Sequence, residues 1–141
     1  MGKMKVLVIL LIAVVVLGGG AMYYLKSPAA EAESEKKLSA EELAEMSIDT
    51  DIITTNLATG ENYAVVQFNI QLNSKKVKEA TEKRTAEVRA AIISTVAGFT
   101  KEELVGKEGI AMLEEQLKTK LSETITEGKV ERVLVTEFKL Q

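Results

Sequence analysis

The chain has 141 residues, no cysteine and no histidine, a formal net charge of −3 and 46% hydrophobic residues. This composition excludes a disulfide scaffold and a thiolate zinc site, and it removes the usual general base and the strongest nucleophile from any catalytic scheme. After Lys26 there are 21 acidic and 15 basic residues, net −6, a surface that repels phosphates, so no nucleic acid is expected as a partner.

Residues 1–5 form a short basic tail. Val6 to Leu25 is then an uninterrupted run of 20 uncharged, mostly apolar residues between Lys5 and Lys26. At about 1.5 Å per helical residue it reaches roughly 30 Å, the thickness of a bilayer's hydrocarbon core, and it reads as a transmembrane helix. Lys3, Lys5 and the N-terminal amine precede it, and the next charges after Lys26 are Glu31, Glu33 and Glu35. The positive-inside bias therefore sets the N-terminus in the cytoplasm and the bulk of the chain outside the cell (inner) membrane. A cleaved signal peptide is the competing reading, with Ser27-Pro28-Ala29 or Ala30-Glu31-Ala32 as small-residue sites. The length of the run, and Tyr23 and Tyr24 at interfacial positions, favour a retained anchor. Without cysteine there is no lipid-modified cleavage site. Gly18, Gly19 and Gly20 are consecutive, not four apart, and make no small-xxx-small dimer face.

Residues 26–46 read as a linker with a short helix. Ser27 to about Lys37 is rich in Ala, Glu and Ser, carries the only proline, Pro28, and cannot bury a core. Ser39 followed three residues later by Glu42 fits a capping box, opening a helix from Ala40 to Glu45 with Leu43 and Met46 on one side. This edge is too short to be stable alone, which makes Leu43 and Met46 candidate partner-binding residues.

Residues 47–141 read as one domain. Ser47 to Leu57 is dense in β-branched residues and predicts a strand. Asn56 to Asn62 carries turn chemistry, with Gly60 free to take positive φ. Ala64, Val66, Phe68, Ile70 and Leu72 alternate with Val65, Gln67, Asn69 and Gln71, a strand with one buried face that pairs with the first as an antiparallel hairpin. Ser74 caps a long helix carrying Val77, Thr81, Arg84, Val88, Ala91, Ile92, Thr95 and Val96 on its stripe, with Gly98 as an αL stop. Thr100 and Glu103 form a second capping box over a single turn ending at Gly106. A second long helix follows, with Ile110, Leu113, Leu117, Leu121 and Ile125, ended by Gly128. In the last strand, Val130 to Leu140, strict alternation puts Leu134, Thr136, Phe138 and Leu140 on one face and Val133, Val135 and Glu137 on the other. The order β-β-α-α-β predicts an α+β domain: a roughly three-stranded antiparallel sheet with two long helices on one face.

Several segments together resemble the FliL family of flagellar basal-body proteins. They are Thr55-Asn56-Leu57-Ala58-Thr59-Gly60 at the hairpin and Arg89-Ala90-Ala91-Ile92-Ile93-Ser94 near the end of the first long helix. Leu104 with Gly106-Lys107-Glu108-Gly109 lies at the inter-helix joint, and Gly128-Lys129-Val130 precedes the last strand. Val135-Thr136-Glu137-Phe138 and Gln141 complete the set. The resemblance covers essentially the whole chain. It implies a fold like the stomatin/prohibitin (SPFH) domain. It also implies a homo-oligomeric ring outside the membrane, enclosing the ion-driven stator proteins of the flagellar motor (MotA/MotB-type) and supporting torque, swimming and swarming, without enzymatic activity or a cofactor.

Individual residues carry weaker signals. Arg84 on an apolar stripe is a candidate inter-subunit salt bridge, against the commoner reading of an arginine laying its stem on the core. Glu137 is a candidate inter-subunit contact on the last strand, with Phe138 as core. Asp49 and Asp51, two apart on a strand, share a face, but without a third ligand they read as solvated, and no metal site is expected. Gly98, Gly106, Gly109 and Gly128 read as caps and joints, since no Gly-rich loop runs into Lys-Ser/Thr at a helix start. Ser34 and Lys37 have Ser-x-x-Lys spacing in a polar linker with nothing to orient them. The rival readings are a generic membrane-tethered interaction domain with another partner complex, a secreted binding protein and, least favoured, an enzyme.

Overall fold

A computed structural model of the chain describes residues 37–141. The predicted tail, span and most of the linker, with Ser34 of the Ser-x-x-Lys pair, lie outside the described residues. No helix among the described residues is long and apolar enough to cross a membrane.

The elements run α1 (Ala40–Glu45), β1 (Ser47–Asp49), β2 (Ile53–Asn56), β3 (Tyr63–Leu72), α2 (Lys75–Glu82), α3 (Thr85–Val96), α4 (Gly106–Thr124) and β4 (Val130–Leu140). β3 is the spine of an antiparallel sheet. β4 pairs along one side of it, while β1 and β2 pair end to end along the other, at Asn69–Gln71 and Tyr63–Val66 respectively. The sheet thus has three rows, as expected, with the first row split.

Thr50 makes the split. Its amide donates to the Phe68 carbonyl at 2.9 Å, but it is its Oγ1, not its carbonyl, that accepts from the Phe68 amide, at 3.0 Å. The freed Thr50 carbonyl accepts from Gln67 Nε2 at 2.8 Å. A side chain standing in for the backbone ends the regular ladder, so Asp51 lies outside β1 and does not share a strand face with Asp49.

The predicted first long helix is two helices. α2 ends at Glu82 and α3 begins at Thr85, with Arg84 between them at φ −108°. No Gly or Pro marks the break. Thr85 Oγ1 donates back to the Glu82 carbonyl at 2.8 Å, and the buried stripe continues in phase from Val77 and Thr81 to Val88, Ala91, Ile92 and Val96. The predicted αL stop at Gly98 is also absent: the positive-φ glycines among the described residues are Gly60 (φ 73°) and Gly106 (φ 82°). Both capping boxes form, Ser39 with Glu42 and Thr100 with Glu103.

β3 buries Ala64, Val66, Phe68, Ile70 and Leu72 completely. Above them lie Val88, Ile92 and Val96 of α3 and Leu113, Leu117 and Leu121 of α4. At about 1.5–3 kcal/mol per fully buried aliphatic or phenyl side chain, this one interface is the main source of stability.

β4 departs from its predicted alternation. Gln67 pairs with Glu137 but Phe68 with Val135, and Gln71 pairs with Arg132 but Leu72 with Val130, so Thr136 and Glu131 are the extra residues of two bulges. Each bulge inverts the side-chain parity. Val130, Val133, Val135, Phe138 and Leu140 consequently share the core face, opposite the buried residues of β3, while Leu134 joins Glu137 on the open face.

Candidate functional site

The four residues singled out from sequence lie in three places. Leu43 and Met46 are half-buried on α1, which has no fully buried residue. The helix is nonetheless tied to the domain. The Leu43 carbonyl accepts from Ser47 Oγ at 2.7 Å, the Met46 carbonyl accepts from the Leu72 amide at 2.9 Å, and Glu45 pairs with Lys75 at 2.5 Å. With Leu38, which is 41% exposed, α1 presents a small apolar edge at the entry to the domain.

Arg84 stands at the α2–α3 joint. Its guanidinium donates to the Thr124 carbonyl at 3.2 Å and to Glu127 at 2.5 Å, with Glu87 at 3.4 Å. These contacts tie the joint to the end of α4. Glu137 lies on the open face of the sheet, where it pairs with Lys139 at 2.6 Å. The same face carries Asn69 Nδ2 donating to Asp49 Oδ1 at 2.8 Å, so it is a hydrogen-bonded polar surface.

The two edges of the sheet differ. On the β4 side, the Phe68 amide and carbonyl are both taken by Thr50, so the opposite residue, Val135, points its amide away from β3. Glu114 of α4 reaches over and accepts from that amide at 2.8 Å. With two bulges in the same strand, this edge is a poor template for pairing.

On the β1–β2 side the edge borders a cleft of about 260 Å³. Its walls are Ile48, Ile53, Val88 and Ile92, and Asp49, Asp51, Glu82 and Arg89 are also among its lining residues. Ile52, in the gap between β1 and β2, is 54% exposed. The cleft joins segments about 30 residues apart that topology brings together, so periodicity could not reveal it. The local hint was an isoleucine displaced from the alternation beside two aspartates.

Comparison with known proteins places this geometry in context. A family model described as flagellar basal body-associated protein FliL matches residues 47–141, the segment from β1 through β4. A flagellar protein FliL of Bacillus subtilis (strain 168) is 37% identical over 108 residues, which cover 77% of this chain and 76% of that protein. Another, of Aquifex aeolicus (strain VF5), is 29% identical over 88 residues, 61% of this chain and 55% of that protein.

Proposed function

Since the chain belongs to the FliL family of flagellar basal body-associated proteins, we propose that it is a membrane-anchored accessory of the flagellar motor that oligomerises around the ion-driven stator (MotA/MotB-type) and supports torque, swimming and swarming. The family match over residues 47–141 carries this reading. In it, residues 6–25 span the cell membrane, residues 1–5 stay in the cytoplasm, and the domain stands outside as one unit of a homo-oligomeric, SPFH-like ring.

The action is mechanical. A ring that binds the stator's external segment better in its open, ion-conducting arrangement shifts the population toward that arrangement, by no more than its differential affinity for the two. Leu43 and Met46 contribute the stator contact, supported by their place on, and at the C-cap of, a helix with no fully buried residue. Arg84 and Glu137 are candidate inter-subunit residues, each reaching a neighbour only by sharing or exchanging its present partner.

The test is purification of the tagged full-length protein from gently solubilised membranes of motile cells, with mass spectrometry of what accompanies it. Stator subunits together with untagged copies of the chain are the expected outcome. A homo-oligomer without motor proteins would overturn the stator reading and leave a generic tethered scaffold. Replacing Leu43 and Met46 with Lys is expected to abolish stator recovery while the fold is kept. Unchanged recovery and unchanged spreading in soft agar would remove the α1 edge from the account.

A further inference from the structure

The cleft beside β1 and β2 belongs to none of the surfaces assigned above. β2 pairs with β3 and with no other described strand, so its outer side is a free edge. The adjoining cleft of about 260 Å³ has an apolar floor of Ile48, Ile53, Val88 and Ile92. Ile52 and Ile93, each next in sequence to a lining residue, are 54% and 36% exposed. The volume holds one or two large side chains. It does not hold a helix about 10–12 Å across.

Charge narrows the occupant. The lining includes Asp51 and Glu82 against one guanidinium, Arg89, while the carboxylate of Asp49 is turned to the open face of the sheet, where it accepts from Asn69. The described domain from Leu38 onward is itself acidic, with 18 acidic and 13 basic residues. A second copy is disfavoured on two grounds. Pairing two such edges about a two-fold axis sets like carboxylates against each other. Continuing the sheet onto a neighbour's β4 is opposed by Glu114 and the two bulges.

We propose that this cleft receives an extended segment of a different protein, which adds as a strand to the free edge of β2, places an apolar side chain on the cleft floor and carries lysine or arginine beside it. Backbone pairing supplies affinity, and the pocket with its carboxylates supplies selectivity. The inference is independent of which motor protein the α1 edge engages.

Two labelled eight-residue peptides test it, one alternating isoleucine with lysine and the other alternating isoleucine with glutamate. Each is titrated against the full-length protein in nanodiscs of neutral phosphatidylcholine. The lysine peptide is expected to bind at least about tenfold tighter than the glutamate peptide and to slow hydrogen exchange of β2 amides. The double variant Asp51→Lys/Glu82→Lys, altered only at exposed positions, is expected to reverse the preference, and Ile52→Lys to weaken both peptides. Equal affinities, no binding, a preference untouched by the charge reversal, or binding without β2 protection would each overturn the proposal. None of these results bears on stator recovery, so the motor reading stands or falls separately.

Discussion

At the scale of single residues, the domain depends on a few atoms with no room to move. Gly109 is buried, and a Cβ there would lie 2.3 Å from the Glu103 carbonyl oxygen and 2.7 Å from the Leu104 backbone. The obstacle is backbone, which cannot swing aside as a flexible side chain would. Gly109→Ala is therefore expected to cost about 2–3 kcal/mol, the upper part of the range for overpacked sites, read by urea unfolding. At Gly128 the obstacle is the Val77 side chain, at 2.1 Å, with Asn73 Oδ1 at 2.7 Å, which joins the loop before β4 to the start of α2. Thr50 is a third such point. Thr50→Val keeps the shape but leaves the Phe68 amide without its acceptor, and the expected loss is about 1–3 kcal/mol. Thr50→Ser keeps the oxygen and should lose less than half as much. Equal losses for the two variants would show that the methyl group, which Val keeps and Ser lacks, matters as much as the hydrogen bond.

At the scale of elements, Glu114 decides whether β4 is an open or a closed edge. Its carboxylate accepts from the outward Val135 amide at 2.8 Å. Glu114→Gln keeps an acceptor oxygen and is expected to leave Val135 exchange slow. Glu114→Ala removes the acceptor, and exchange at Val135 should rise while β3 amides stay protected. With that edge opened, concentration-dependent self-association follows, visible as cross-linking of a Cys introduced at Glu131 in a chain that otherwise has none. The elements themselves were largely legible. The alternation from Ala64 to Leu72 gave the spine of the sheet, and Ser39/Glu42 and Thr100/Glu103 gave two boxes that form. What stayed hidden has a common cause: it depends on partners remote in sequence. The α2–α3 break keeps the 3.6-residue phase, and Arg84 is held there by Thr124 and Glu127, 40 and 43 residues away. The bulges at Thr136 and Glu131 have no residue signature and appear only as a mismatch in length between β4 and β3. The cleft followed the same rule. Asp49 and Asp51 were visible as a pair, but not the strand interruption at Thr50 that separates them, nor Glu82 and Arg89 arriving from the helices.

At the scale of the whole molecule, the compact unit runs from Leu38 to Gln141, whereas the family model begins at residue 47. The nine residues between include α1, which is tied in by backbone as well as side chains. The Met46 carbonyl accepts from the amide of Leu72, a fully buried residue at the end of β3. A fragment starting at residue 47 lacks that carbonyl, the Ser47–Leu43 bond and the Glu45–Lys75 pair. The ion pair is more than half exposed on both sides and contributes little. The difference therefore rests on the Leu72 amide and the Ser47 hydroxyl. A 47–141 fragment is expected to be less stable than a 38–141 fragment by about 1–2 kcal/mol in urea, with most of the added exchange at Leu72 and in β1. If the two fragments unfold together, α1 contributes nothing to the fold and is purely a docking element. If the shorter one is weaker, the apolar edge of Leu43 and Met46 is held on a stiff mount. A partner bound there would then pull on the end of β3, the strand that carries the core, and a brace that transmits load needs such a connection.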